Sequence, residues 1–277
     1  MQLGQPSRTA WAAAAHRAVH QVLEHGRIFS DPLAIRILGE DADAIVRDAE
    51  ARPASRRMRI FIAIRTRFAE DALAAAKSRG LRQVVVLGAG LDTFAYRNKL
   101  DGVRIFEVDH PATQAWKRQR LAEADIQIPD SLTFAPVDFE CETLAQGLAS
   151  AGFDSTQSAF FTWLGVVPYL TESAIDSTLT FIAGSPQGTH VAFDYANPPE
   201  LLSDTARAEH AAREAYVAAL GEPWVSYFDT DRLHEKLRGF GFVDIEDMGP
   251  RQIAARYFPG RASDAREKGG HVLRANT

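Results

Sequence analysis

Short runs of consecutive apolar residues alternate with helical patterns from residue 83 onward. The first run, Gln83-Val-Val-Val-Leu87, ends abruptly at a glycine, which is typical of a strand buried on both faces of a parallel sheet. Because strands that alternate with helices form right-handed βαβ units, the pattern predicts an α/β fold with a doubly wound, mostly parallel sheet. Further strands are expected at residues 103–108, 132–136, 158–163 and 189–193, with a final antiparallel pair at 241–247 and 271–276.

The first eighty residues carry only helical patterns. Helices are expected at residues 7–26, 30–39 and 54–79, and the first two begin at Ser or Asp caps and end at glycine. No repeat or flexible linker separates this region from the strands. We therefore expect one folded unit with a helical N-terminal cap at residues 1–80, packed as a lid, and an α/β domain at residues 81–277.

Composition narrows the class of protein. The chain has 277 residues, 46% of them hydrophobic, and a net charge of −5, which indicates a real core and gives no attraction to nucleic acid or an anionic membrane. No apolar run approaches the roughly 18–20 residues of a membrane span, and no secretory leader is recognisable, so a cytoplasmic location is expected. The single Cys141 excludes an internal disulfide and a cysteine-rich zinc site, and is expected to be a small core residue.

A glycine turn follows the first strand directly. Gly88 and Gly90 permit a tight turn there and let the backbone approach a ligand closely. About 20 residues further on, Glu107 and Asp109 end the second predicted strand, where a carboxylate can accept both hydroxyls of a ribose. The combination predicts a cofactor that contains a nucleoside, whereas the glycine pair alone is weak evidence and leaves open a structural turn without a ligand.

The residues after the turn favour a cofactor without phosphates. The third glycine of the dinucleotide pattern is absent, and Asp92 would place a negative charge where a pyrophosphate would lie. S-adenosyl-L-methionine has ribose and adenine but no phosphate. The alternative is an NAD(P)-dependent oxidoreductase on a similar sheet.

Several motifs also occur in a recognisable order. They are Arg65-Thr-Arg-Phe68, LGAGLDTFAYR at 87–97, FEVDHP at 106–111, PVDF at 136–139 and FFTWLGVVPYLT at 160–171, with Asp31-Pro32 before them and GEPW at 221–224 after them. Together they resemble the leucine carboxyl methyltransferase-like family of class I S-adenosylmethionine-dependent methyltransferases, and the resemblance covers most of the chain.

The resemblance implies a cofactor site. By resemblance, Asp109 holds the ribose, Asp138 and Phe139 contact the adenine, and Arg65 clamps the methionine carboxylate of the cofactor. The full set of expected cofactor-binding residues is Arg65, Gly88, Gly90, Asp92, Glu107, Asp109, Asp138, Phe139 and Trp163.

The residues around Arg65 support a buried position. At helical spacing Arg65 shares a face with Phe61 and Phe68, and a buried arginine needs an anionic partner. That partner is either a cofactor carboxylate or an internal salt bridge. Most of the other arginines of this helix, Arg59 among them, are expected on a solvated face, and Arg67 is expected to form a surface ion pair with Glu70 or Asp71.

The expected reaction is transfer of a methyl group to a carboxylate or hydroxyl oxygen of a small-molecule acceptor. Tyr169, Tyr195 and Arg251 are loose candidates for holding that acceptor, and His110 or His190 for a base.

The chain departs from the family at Leu164, where many members have a glutamate, so that contact is lost or is replaced by water or a backbone group. A second alternative is therefore a cofactor-binding protein without turnover. No metal site is expected, because His16, His20 and Glu24 share a helix face but lack a further cluster of ligands; they are expected to form a solvated or capped face. The oligomeric state is left open.

Overall fold

The apolar run at residues 83–87 forms a central strand of a seven-stranded sheet. The computed structural model describes residues 7–98, 100–139, 141–260 and 267–277. Five strands are parallel and the last strand of the chain is antiparallel to its neighbours. The spatial order is β3-β2-β1-β4-β5-β7-β6. The strands are β1 (Gln83–Leu87), β2 (Arg104–Asp109), β3 (Leu132–Pro136), β4 (Ala159–Trp163), β5 (His190–Ala196), β6 (Val243–Met248) and β7 (Gly270–Asn276).

The predicted fold class is confirmed, and every predicted strand is present. The sequence pattern predicted that β6 and β7 pair, but it did not predict that β7 lies between β5 and β6. In that position Leu273 pairs with Phe193 of β5, and Val272 pairs with Met248 of β6. Both β7 residues are fully buried, which explains why an apolar strand occupies the inner place.

Eleven helices occur in the described residues. Ser7 and Asp31 cap the first two through side-chain oxygens that accept from Ala10 N and Ala34 N. The helices are α1 (Arg8–Leu23), α2 (Pro32–Leu38), α3 (Ala42–Ala51), α4 (Arg56–Ser78), α5 (Phe94–Arg97), α6 (Pro111–Glu123), α7 (Leu144–Ser150), α8 (Glu172–Ala183), α9 (Asp204–Ala219), α10 (Thr230–Phe240) and α11 (Pro250–Tyr257). The sequence analysis did not single out α3.

Helices cover both faces of the sheet. On one face, Leu73 of α4 packs against Val84 and Val86 of β1. On the other face, α7, α8 and α10 pack against alternate residues such as Val85 and Phe161. Since helices cover both faces, the place for a ligand is the crevice at the carboxyl ends of the strands. It lies between β1 and β4, because the chain continues from β1 to β2 and β3 on one side and then returns to β4 and β5 on the other.

The N-terminal helices lie next to that crevice. α1 packs on α2, α3 and α4, and its Ala14 and Ala18 are fully buried in a cluster that includes Leu91, just after the glycine turn. Among the described residues, no helix has both the length and the apolar character that a membrane crossing requires.

Candidate functional site

A cavity of about 2170 Å³ lies at the carboxyl ends of β1, β2, β4 and β5, beneath α1, α4 and α9. Eight of the nine predicted cofactor-binding residues line it, and Glu107 does not. The candidates that came from the residue pattern and those that the resemblance implied therefore lie, for the most part, at one cavity. The eight are Arg65, Gly88, Gly90, Asp92, Asp109, Asp138, Phe139 and Trp163.

The glycine turn after β1 needs its glycines. Gly88 and Gly90 have φ angles of +63° and +42°, in the left-handed region that disfavours side chains. A Cβ atom on Gly90 would lie 2.8 Å from the Cβ of Ala10 in α1, and one on Gly88 would overlap Val166. The turn thus allows both a close approach to the cavity and the seating of α1.

Asp109 is fixed at the cavity edge by the backbone. Its Oδ2 accepts from Gly90 N at 2.6 Å and its Oδ1 from His110 N at 2.7 Å. Burial raises the pKa of Asp109, and these two N–H groups oppose that effect. Each carboxylate oxygen has a second lone pair, so Asp109 retains the capacity to accept from the hydroxyls of a ribose.

Glu107 lies on the same strand but has no surface in the cavity. It is fully buried, its Oε2 lies 2.7 Å from Lys117 Nζ, and Tyr96 Oη donates to it at 3.3 Å. Burial raises the pKa of Glu107 to about 7. Glu107 was expected among the cofactor-binding residues, but in this geometry it is fully buried and does not reach the cavity, so Asp109 is the carboxylate of this strand that a ribose can contact.

Asp92 is charged and held by its own turn. Its Oδ1 accepts from Phe94 N at 2.7 Å. Burial alone would raise the pKa of Asp92, but Arg17, Arg97 and Lys117 lower it. That this charge disfavours a pyrophosphate beside the glycine turn stays a prediction.

Two aromatic residues at the cavity differ in their exposure. Phe139, which follows β3 next to Asp138, is 62% exposed and can cover a flat ring. Trp163, at the end of β4, is 2% exposed and packs in a T-shaped contact on Phe193. Trp163 is therefore a wall of the cavity.

Arg65 has a protein partner in the structure. Its Nη1 lies 3.0 Å from Oδ2 of Asp194 on β5, so the internal salt bridge, one of the two predicted possibilities, is formed. Arg67 forms the expected surface pair with Asp71, at 2.8 Å. Leu164 is partly buried and packs against an apolar cluster that includes residues of α4 and β1.

The three candidate acceptor-binding residues differ in where their side chains lie and what they contact. Tyr169 lines the cavity, and burial raises its pKa. Tyr195 also lines it, but its hydroxyl is committed to Asp247 at 2.6 Å. The assignment of Arg251 is wrong, because this exposed side chain pairs with Glu267 at 3.0 Å and does not line the cavity.

Of the two candidate bases, His110 lines the cavity and His190 does not. His110 Nδ1 accepts from Ala112 N as the cap of α6. His190 begins β5 and stacks on Phe160, at the amino ends of the parallel strands, whereas the cavity lies at their carboxyl ends. His16 of α1, which the sequence analysis treated only as a rejected metal ligand, does line the cavity.

Two further expectations are corrected. Cys141 is exposed in the loop after β3, because the chain has already left the core there. His20 and Glu24 are buried rather than solvated, since Glu24 forms a two-pronged ion pair with Arg59 at 2.7 and 2.8 Å. Within the part of the chain that the structure describes, no three His, Cys, Asp or Glu side chains are grouped to hold a metal ion.

Sequence reasoning missed a clamp that holds α1 over the cavity. Glu222, in the segment after α9, accepts from Ser7 Oγ at 2.9 Å, from Arg8 N at 2.8 Å and from Thr9 Oγ1. We call these contacts the Glu222 clamp. The motif GEPW contained the residue, but its partners lie more than two hundred positions away along the chain.

Replacing Glu222 with alanine should speed release of S-adenosyl-L-homocysteine by about tenfold, because lost hydrogen bonds to a charged acceptor are worth about 1.5–3 kcal/mol. Stopped-flow displacement measures this rate. Glu235, exposed on α10, provides the control variant Glu235→Ala. An unchanged rate in Glu222→Ala would show that α1 does not govern access.

Comparison with known proteins agrees with the geometry. The family model described as leucine carboxyl methyltransferase matches residues 10–183, more than half of the chain. SCO7813 of Streptomyces coelicolor, provisionally named an S-adenosyl-L-methionine-dependent methyltransferase, is 32% identical over 82% of this chain and 81% of its own length. YktD of Bacillus subtilis, with the same provisional name, is 36% identical over 66% of this chain, which spans 60% of YktD.

Solved structures share the fold. A provisionally assigned methyltransferase from Thermobifida fusca has a TM-score of 0.58 at 15% identity, covering 100% of this chain and 96% of that one. A DUF574 family protein from Streptomyces avermitilis has a TM-score of 0.55 at 17% identity, covering 98% of both. The predicted family and cofactor, S-adenosyl-L-methionine, are confirmed, and the chain belongs to the leucine carboxyl methyltransferase family.

Proposed function

We propose that this chain transfers the methyl group of S-adenosyl-L-methionine to an oxygen atom of a small-molecule acceptor. The observation that carries the proposal is the continuity of the cavity, which runs from the glycine turn and Asp109 into a chamber between α1, α4 and α9. Its volume of about 2170 Å³ exceeds the roughly 300–1,000 Å³ of a usual single-ligand pocket. The cavity therefore has room for a cofactor and an acceptor together.

The described residues fit the cofactor. Asp109 offers lone pairs to a ribose, Phe139 offers an exposed ring face to an adenine, and the Nε atom of Arg65 is buried without a hydrogen-bond partner. When bound, S-adenosyl-L-methionine supplies a methyl group on a positively charged sulfur. The contribution of the chain is to orient the acceptor oxygen and exclude water.

The acceptor chamber is mainly apolar. These walls indicate an acceptor with a large apolar part, because burying a polar group costs free energy unless the group forms a hydrogen bond. The chamber walls include Ala12, Ala13, Met58, Phe61, Ala212, Tyr216 and Val217.

His16 and Tyr169 are the polar groups proposed to face the acceptor. Burial lowers the pKa of His16 to about 4, and Arg59, Arg65 and Arg213 add to the effect. The imidazole is thus neutral near pH 7 and can accept a hydrogen bond from an acceptor hydroxyl. A carboxylate acceptor would need no base, and Tyr169 Oη could donate to it.

Acidification should destabilise the wild type more than His16→Gln. Between pH 6.5 and about 4 the unfolded chain binds a proton at residue 16 that the folded chain does not, so the free energy of unfolding falls as the pH is lowered through that window. Urea unfolding at pH 7 and pH 5 measures the difference. The control is His25→Asn, since His25 is exposed at φ +53°, which Asn tolerates. Equal losses in wild type and His16→Gln would contradict the assignment.

To test the function, the chain is incubated with methyl-tritiated S-adenosyl-L-methionine and a panel of straight-chain carboxylic acids and phenols, and transfer of the label to these acceptors is measured. We expect label in the organic extract, and alkaline hydrolysis distinguishes an ester from an ether. Label found instead in precipitated protein would contradict a small-molecule acceptor. Binding of the cofactor without transfer to any acceptor would favour the non-enzymatic alternative.

A further inference from the structure

A histidine of α9 lines the cavity and begins a series of three hydrogen-bonded side chains. His210 is 7% exposed and forms part of the cavity wall. Glu214 lies on the same face of α9, because residues four positions apart are neighbours on a helix. Tyr227, in the segment after α9, joins the two side chains, and neither Tyr227 nor Glu214 lines the cavity. The series therefore leads from the cavity wall to the outside of the cavity.

The backbone on both sides of Tyr227 is anchored to the sheet. Val225 N donates to Pro168 O at 2.7 Å, in the segment that follows β4. Phe228 N donates to Ala196 O at 3.0 Å, at the end of β5. The two strands whose carboxyl ends border the cavity thus fix the position of Tyr227 beside α9.

The hydrogen bonds determine which nitrogen of His210 carries the proton. Tyr227 Oη donates its only proton to Glu214 Oε1 at 2.9 Å. Its oxygen, 3.2 Å from His210 Nε2, therefore accepts, so Nε2 carries the hydrogen of the neutral ring. Nδ1 keeps its lone pair, and among the described residues it has no hydrogen-bond partner. Trp224 and Tyr227 both pack on the ring with centroids 5.2 Å away, which restrains its rotation.

The charges around His210 suit a base. Burial lowers the pKa of His210, the carboxylate of Glu214 opposes that effect, and Arg213 adds to it. The ring is therefore neutral near pH 7, and Glu214 stabilises the positive charge that arrives with a proton. By contrast, burial and three nearby arginines lower the pKa of His16 to about 4, which makes His16 a weak base.

We propose that His210 is the base that takes the proton from a phenolic hydroxyl acceptor, and that Tyr227 and Glu214 are its positioning residues. This rests on the proposed function and selects a hydroxyl, since a carboxylate acceptor needs no base. The acceptor oxygen forms a bond to the methyl carbon, and its proton passes to Nδ1 of His210. The carbon–sulfur bond breaks with its electron pair staying on the sulfur, and the proton later passes to water. A phenol suits the apolar chamber, and its pKa of about 10 allows partial proton transfer to an imidazole in the transition state.

Nitrogen NMR of the chain with isotope-labelled histidine tests this arrangement without turnover. At pH 7 we expect the proton of His210 on Nε2, and His210→Gln identifies the signals by their loss. In Tyr227→Phe the proton should distribute over both nitrogens, since the oxygen that accepts from Nε2 is gone. A proton on Nδ1 in the wild type would overturn the proposal.

Kinetics with two classes of acceptor test the role of the base. A glutamine at position 210 can reach Tyr227 but has no basic nitrogen. His210→Gln should lower kcat for a phenol by at least about 100-fold, change its KM by less than about threefold and leave transfer to a carboxylic acid within about threefold. Tyr227→Phe should lower kcat for the phenol by about two- to tenfold. Because the pKa of His210 is lowered from 6.5, the wild-type rate with the phenol should fall only below that pH, and His210→Gln should lack this fall.

The matched controls are His25→Asn, at an exposed histidine, and Tyr257→Phe, whose ring does not line the cavity. Both should transfer the methyl group as the wild type does. Equal losses for the phenol and the carboxylic acid in His210→Gln would show that His210 only supports the cavity wall. Transfer by the wild type to carboxylic acids alone would also overturn the proposal, whereas a wild type that transfers to neither class contradicts the proposed function itself.

Discussion

Replacing Asp109 with alanine should weaken binding of S-adenosyl-L-homocysteine by roughly 30- to 100-fold. The carboxylate loses its proposed bonds to the ribose, and hydrogen bonds to a charged group are worth about 1.5–3 kcal/mol each. The change also releases Gly90 N and His110 N from their acceptor, so the turn is less well ordered before the ligand binds. Isothermal titration calorimetry of the purified chain measures the affinity directly.

Asp101→Ala is the matched control, since this exposed aspartate lies in the turn that precedes β2. It should bind as the wild type does. Asp109→Asn should fall between wild type and Asp109→Ala, because an amide oxygen can still accept from one backbone N–H. If Asp109→Ala binds as tightly as Asp101→Ala, Asp109 is not a cofactor ligand.

The second large effect is expected for Gly90→Val, which should reduce affinity for S-adenosyl-L-homocysteine by more than about 100-fold. The new Cβ would crowd Ala10 of α1 at 2.8 Å, and a β-branched residue is strained at φ +42°. Both the turn and the seat of α1 over the cavity are then displaced. Overpacking and backbone strain each cost about 1–3 kcal/mol.

Gly188→Val separates strain from crowding. Gly188 has φ +84° but no neighbouring atom within 4 Å of an added Cβ, and it lies just before β5, at the end of the strands away from the cavity. This control should lower the melting temperature and leave the affinity unchanged. A comparable loss of affinity in both variants would mean that the position of Gly90 beside α1 is unimportant.

The fold could be predicted to a large extent because its determinants are local. An uninterrupted apolar run such as residues 83–87 by itself indicates a buried parallel strand. Ser7 and Asp31 are N-cap residues, which predict where the first two helices begin. The place of β7 between β5 and β6 could not be predicted. The place of β7 depends on which edge of the parallel sheet is still unpaired when β7 is added. The apolar residues of β7 indicate that it is buried but not which strand it pairs with.

The site could be predicted where a motif and a strand end coincide, as at Gly90 and Asp109. It could not be predicted where ion pairing decides the environment. Arg59 looked like part of a solvated helix face, yet it is buried, because Glu24, more than thirty residues earlier, neutralises it. Likewise the partner of Arg65 is Asp194, on a strand 129 positions later. Such pairs follow from tertiary packing, which helical spacing does not encode.

The most direct test of the proposed cofactor site is a calorimetric titration of the wild-type chain with S-adenosyl-L-homocysteine and, in parallel, with NAD⁺ and NADP⁺. We predict one molecule of S-adenosyl-L-homocysteine bound per chain with a dissociation constant in the micromolar range, and no heat from either dinucleotide. Binding of a dinucleotide, with none of S-adenosyl-L-homocysteine, would contradict the account.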